Sequence, residues 1–212
     1  MDNTSNFDQR IGTLIEASIA TKRRLLEDTD LIATISRTAE MLVRAFDRGN
    51  KVLLFGNGGS AADAQHIAAE FVGRFAFDRP ALPALALSAN TSCVTAIGND
   101  YGFERVFARQ IEALGNPGDV AVGISTSGNS ANVLMAMSAA KKMGLTTIAF
   151  TGCPGGKLVQ ADSPVDCCIS VPSNDTPRIQ ECHILIGHII SELVEHTIFH
   201  EQSCISGSRR GY

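Results

Sequence analysis

With 212 residues, 44% of them hydrophobic, the chain can bury one sizeable core but has no room for a second complete domain beside it. A net charge of −4 and one inner basic run, Lys22-Arg23-Arg24, read as a solvated helix face, argue against nucleic acid as a partner, because duplex binding rests on clustered cations. MDNTSNFDQR lacks a signal-peptide pattern, no apolar run approaches the ~20 residues of a membrane helix, and six cysteines without C-x-x-C spacing read as reduced thiols, so a cytoplasmic protein away from membranes is expected.

After a polar start, Ile11, Leu14, Ile15, Ile19, Leu25 and Leu26 recur at helical spacing. Asp28-Thr29-Asp30 stops that helix and caps a second, whose stripe is Leu31, Ile35, Ala39, Leu42 and Phe46 and whose end is marked by Gly49. This helical pair, residues 1–50, is an addition to the core, and its apolar stripes are expected to pack against another subunit. From Lys51 the pattern alternates: strand 51–55, helix 60–75, strand 83–87, a helix about 103–114, strand 119–124, helix 131–143, strand 145–150, a short helix near 156–161, strand 166–171 and a last helix 177–199. Alternation of this kind predicts an α/β fold with a doubly wound parallel sheet over residues 51–200 and ligands at the carboxyl ends of its strands. The remainder, 201–212, rich in Ser, Gly and Arg, is expected to be disordered.

The chemistry begins after the first strand. Asn57-Gly58-Gly59 is a turn that lets the backbone approach a ligand, and Ser60 is placed to cap the helix that follows, whose free N–H groups favour an anion. On that helix His66 and Glu70 stand four residues apart and project from one face, so they can converge on a metal or a substrate. Ser125-Thr126-Ser127-Gly128-Asn129-Ser130, after the strand at 119–124, is a second hydroxyl-rich loop opening a helix, and reads either as a phosphate cradle or as a capped turn. Neither loop is a Walker or dinucleotide fingerprint. Gly98 to Gly102 reads as a turn in which Asn99 and Asp100 can hold sugar hydroxyls or simply close the turn. The last helix, opened by Asp175-Thr176-Pro177, carries Gln180 and His188 on faces that coincide only approximately. His183, His196 and His200 read as structural.

Taken together, GNGGSAADAQHIAAEF, GNDYGFERVFARQ, GDVAVGISTSGNSANVL, TGCPGGKL and VPSNDTPRIQECHILIGHII resemble the phosphoheptose isomerases of the sugar isomerase (SIS) superfamily, over about residues 8 to 200. The resemblance implies a flavodoxin-like five-stranded parallel sheet flanked by helices and a homotetramer with its sites between subunits. It also implies conversion of sedoheptulose 7-phosphate to D-glycero-D-manno-heptose 7-phosphate, towards heptose for bacterial surface polysaccharide. Carried over by position, one zinc per subunit falls on His66, Glu70, Gln180 and His188, with Glu70 and His188 as the acid–base pair. Sugar-phosphate contacts fall on Asn57, Gly58, Gly59, Ser60, Glu70, Asn99, Asp100, Ser125, Thr126, Ser127, Ser130 and Gln180, and Arg74 matches an arginine able to reach a neighbouring subunit's substrate. Two rivals share the fold: a non-catalytic relative that binds the replication initiator, and an isomerase of another phosphosugar. Glu70 and His188 favour the enzyme over the first, and the short chain disfavours the second.

Overall fold

A computed structural model describes residues 4–206, with side chains described for residues 6–199. Two helices open the chain, α1 (Thr4–Glu27) and α2 (Thr29–Asp47), separated by Asp28, whose carboxylate accepts the Leu31 N–H at 2.9 Å and so caps α2. The expected stripe of α2 is buried in full, from Leu31 through Ile35, Ala39 and Leu42 to Phe46. In α1 only Leu25 of the expected stripe is buried, while Phe7, Ile11, Ile15, Ile19 and Leu26 are about half exposed or more.

Five parallel strands follow, β1 (Val52–Gly56), β2 (Ala84–Ala86), β3 (Val120–Ile124), β4 (Thr146–Gly152) and β5 (Cys167–Val171), in the spatial order β2-β1-β3-β4-β5. The intervening helices are α3 (Gly59–Val72), α4 (Thr91–Tyr101), α5 (Ala108–Leu114), α6 (Ala131–Lys142) and α7 (Thr176–Ser206). β1 shows how the sheet divides the core. Val52 and Leu54 face the layer made by α2, α3 and α7, whereas Leu53 and Phe55 face α5 and α6, and all four are buried. The doubly wound fold is as the sequence predicts. The order reverses between β1 and β3, so the loops leaving their carboxyl ends diverge to opposite faces and open a crevice.

Four local expectations need correction. Residues 91–101 form a helix, with Asn90 accepting the Cys93 N–H at 3.1 Å, so Asn99 and Asp100 lie on its last turn rather than in a loop. The helix expected at about 103–114 is a short 3-10 turn, Phe103–Arg105, followed by α5, and the one near 156–161 is a 3-10 turn at Gly156–Val159. Helix α3 begins one residue early, with Gly58 in the capping position, and ends at Val72 because Gly73 leaves helical geometry, so Ser60 is inside the first turn and Arg74 beyond the helix. Helix α7 ends at Ser206, and residues 207–212 lie outside the described ones.

The edge pair β4–β5 is tied by Asp166, which accepts the Thr147 N–H at 2.9 Å and the Thr147 hydroxyl at 2.8 Å and is paired with Lys141. Burial by itself raises this carboxyl, but the bonds from Lys141 and Thr147 outweigh it and hold the group below its ordinary range. A depressed folded-state pKa contributes stability above the unfolded value and loses it as pH falls through the folded one. Asp166→Asn is therefore expected to lower stability at pH 7 by about 1 kcal/mol, discounted for the solvent exposure of the pair, with the difference closing in acid. Urea melts of both proteins from pH 7 down to pH 3 check this.

Candidate active site

At the crevice between β1 and β3 the two loops are stitched together. The side-chain amides of Asn57 and Asn132 exchange two hydrogen bonds, Asn57 Nδ2 donating to Asn132 Oδ1 at 2.9 Å and Asn132 Nδ2 donating to Asn57 Oδ1 at 2.8 Å. Asn132 is buried, and its Oδ1 also accepts the Val133 N–H at 2.9 Å. The Asn57 side chain is thereby spent on the scaffold, and the Asn57-Gly58-Gly59 turn meets solvent with its backbone. Gly58 takes φ 55°, and a Cβ on Gly59 would stand 2.5 Å from Gln180 Nε2, so this glycine is what lets the Gln180 amide lie across the turn.

The loop after β3 is braced from within and from the next loop. Ser125 and Ser130 hydroxyls meet at 2.9 Å, and Asn129 Nδ2 donates to Ser127 O at 3.0 Å while its Oδ1 accepts the Lys157 N–H at 3.1 Å. Neither Gly58 nor Ser130 makes a side-chain cap bond, whereas α2 and α4 are capped by Asp28 and Asn90. The two helices that start at the crevice thus present first-turn N–H groups without a side-chain acceptor from their cap residue.

The second half of the site lies between α3 and α7. Both helices leave the crevice side by side, and at Gly187 they pack tightly, a Cβ there coming within 2.6 Å of Ile67 Cδ1. This contact brings His188 against the exposed face of α3. His188 Nε2 lies 3.3 Å from His66 Nε2, and His66 Nε2 lies 3.0 Å from Glu70 Oε1. The two imidazoles meet edge to face with centroids 4.9 Å apart, and the Phe75 ring packs against His188 with centroids 5.8 Å apart. One donor atom from each of His66, Glu70 and His188 lies within 4.8 Å of the others, so the three form a group able to hold a metal ion. The fit is good: a tetrahedral ion with bonds of ~2.0–2.1 Å spaces its ligand atoms roughly 3.3 Å apart, and N/N/O donors suit zinc.

The other expected residues lie outside this triangle. Gln180 lies against Gly59 at the head of α3, Ser125 is buried in the second loop, and Thr126, Ser127 and Ser130 follow it. Arg74 is exposed just past α3, and Asn99 donates to Asp100 at 2.8 Å on exposed α4. His183, as expected, stands apart. It is fully buried, bonds the Thr151 carbonyl at 3.1 Å, and is pushed down to about 4 by burial, so it is neutral near pH 7. Sequence reasoning missed Asn132, Phe75 and Asp63. Asp63, one turn before His66, has a buried Oδ2 without a hydrogen-bond partner, and burial pushes its carboxyl up to about 6 against the pull of His66. Its spacing from His66 was the only signal available.

The profile of the SIS domain matches residues 16–152. The chain is 58% identical to a phosphoheptose isomerase of Roseiflexus over 93% of its length and 98% of the relative's, and 54% identical to one of Burkholderia pseudomallei over 92% and 100%. The solved phosphoheptose isomerase of Neisseria gonorrhoeae superposes with a TM-score of 0.83 at 43% identity, covering 89% of this chain and 98% of that one. The chain belongs to the phosphoheptose isomerase family. It is thus an aldose–ketose isomerase.

In this isomerase the α3–α7 contact is tight enough to test. Gly187→Ala is expected to cost about 1–3 kcal/mol, by overpacking against Ile67, and to loosen the His66–His188 approach. Thermal melts with zinc titrated in check both effects, the expected signature being a lower Tm with a smaller upward shift on adding metal.

Proposed function

We propose that the enzyme interconverts sedoheptulose 7-phosphate and D-glycero-D-manno-heptose 7-phosphate, using zinc held by His66, Glu70 and His188; Gln180, which here lies against Gly59 at the head of α3, would have to swing away from that turn to serve as a fourth protein ligand. The observation that carries this reading is the convergence of two imidazoles and a carboxylate beside two loops suited to an anion. The dimensions support it. Helices rise ~1.5 Å per residue, so the head of α3 and His66 are separated by roughly 10 Å along the axis, a length of the order of an extended heptose phosphate. The phosphate is assigned to the Ser125–Ser130 loop and the turn at Asn57, Gly58, Gly59 and Ser60, where uncapped helix starts favour negative charge. The sugar hydroxyls are assigned to Asn99, Asp100 and Gln180.

Ketose-to-aldose conversion removes a proton from C1 and delivers one to C2, while a second proton passes from O1 to O2. The enediolate between them needs charge stabilisation. Zinc, when bound, supplies positive charge that polarises the sugar carbonyl. Glu70 turns Oε1 to His66, and its second oxygen is the one we assign to the carbon proton. His188, buttressed by Phe75, carries the oxygen proton. Arg74, exposed beside this centre, is assigned to substrate held by a neighbouring subunit.

That assignment agrees with the surface of α1. Phe7, Ile11, Ile15 and Ile19 form an exposed apolar stripe of the kind a second copy covers, which supports a homotetramer with sites between subunits. Among the described residues no helix is long and apolar enough to cross a membrane. A cytoplasmic place at the first step of bacterial heptose synthesis follows from the substrate we propose.

The test is turnover of sedoheptulose 7-phosphate by zinc-loaded enzyme beside Glu70→Gln and His188→Asn, with zinc counted on each protein. Both variants are expected to lose about 10²- to 10⁴-fold in kcat while remaining assembled. A folded, zinc-loaded wild type that leaves this substrate untouched would refute the reading.

A further inference from the structure

Beyond Val72 the chain runs irregularly through Arg74 and Phe75 to Pro83, with no strand or helix to hold it. It is held from α7. Arg79 Nε donates to Glu195 Oε1 at 2.8 Å, and the two side chains are only 2% and 1% exposed. The same carboxylate accepts the Phe75 N–H at 2.8 Å and the Ala76 N–H at 2.6 Å. The rest of the guanidinium is turned on the carbonyls that end α3: Nη2 donates to Glu70 O at 2.7 Å, and Nη1 to Phe71 O at 2.7 Å, with longer bonds to Gly73 O and Pro80 O. Phe199 lies beneath the guanidinium, 5.6 Å from its carbon. Burial alone would raise the Glu195 carboxyl, but the bonds from Ala76, Phe75 and Arg79 outweigh it and hold it below the ordinary range, so the pair is ionised at neutral pH.

A buried ion pair is weak evidence for stability, since a well-packed apolar pair of the same volume often serves as well. What an apolar pair cannot do is fix direction. Here the fork of Arg79 grips the backbone of Glu70 itself, and Glu195 stands two turns beyond His188 on the same helix. Phe75, pinned through its N–H, is the ring that packs on His188. One charge pair thus touches the main chain of the metal-site carboxylate, the support of the metal-site histidine, and both ends of the segment that presents Arg74.

We infer that Arg79 and Glu195 form a positioning clamp for the isomerase centre, setting the place of Glu70 on α3 relative to His188 on α7 and holding the Arg74–Phe75 segment against it. The inference rests on the reading of that centre given above. Neither residue touches substrate or metal. Their role is to keep the ligand triangle at metal-binding size, as hydrogen-bonded partners of ligands do in metal sites generally.

Glu195→Gln, which keeps an acceptor but not the charge, and Arg79→Lys, which keeps the charge but not the fork, test this. Zinc affinity is measured on the apoprotein by competition with a chromophoric chelator, kcat and KM on zinc-saturated folded protein, and Tm alongside. Both variants are expected to bind zinc about 10- to 100-fold more weakly and to lose kcat by a similar factor when saturated, with KM changing less. Variants that keep wild-type zinc affinity and kcat and show only a lower Tm would overturn the clamp. If the wild type fails to convert sedoheptulose 7-phosphate, the substrate reading fails, and the zinc arm still decides the clamp. Should Arg79→Lys not fold, Glu195→Gln decides it.

Discussion

The close passage of α7 along α3 is the contact on which the rest of this molecule depends. Two helices normally keep about 8–10 Å between their axes, set by the side chains at the crossing. Here one of the crossing residues, Gly187, has no side chain, and the tip of Ile67 occupies the space a Cβ would need. The next residue on α7 is His188, and the residue before Ile67 on α3 is His66. A dry apolar contact therefore sits directly under the polar triangle and determines its size. Further along, the buried ion pair between Glu195 on α7 and Arg79, in the irregular segment after α3, continues that arrangement to the end of α3.

The other half of the centre depends on sheet topology. Reversal of strand order between β1 and β3 sends α3 to one face and α6 to the other, leaving two loops side by side with nothing between them. The reciprocal amide pair of Asn57 and Asn132 spans that gap and converts two separate turns into one rim. Because each amide commits one N–H and its oxygen to the other, the rim is left with mainly backbone N–H groups and hydroxyls to offer. Groups of that kind suit a phosphate, which has acceptors in every direction.

Charge is handled differently at two places in the layer of α3 and α7. Arg79 and Glu195 are out of water but have every oxygen of the carboxylate matched by donors, so they can remain ionised. Asp63, one turn before His66, has a buried oxygen that nothing among the described residues answers, and burial pushes its carboxyl up to about 6. The exposed isoleucines of α1 are an imbalance of the opposite kind, apolar surface left in water by a single copy of the chain.

The succession of strands and of the helices other than α4, the buried stripe of α2, its Asp28 cap and the hydroxyl- and glycine-rich loops could all be read from the sequence, because period, caps and turn residues are local properties. The same locality explains the failures. Helix α4 was hidden by Thr91, Val94, Thr95 and Ile97, β-branched residues of modest helix propensity that a single Asn90 cap and the surrounding fold suffice to hold. His66 and Glu70 share a face by their spacing alone, but their meeting with His188 joins residues 122 apart in the chain. The Asn57–Asn132 pair joins residues 75 apart and the Arg79–Glu195 pair residues 116 apart. The sequence alone determined which side chains each element offers to the centre. Only the tertiary structure decided which of them meet, since that follows from strand order and from one glycine that lets two helices touch.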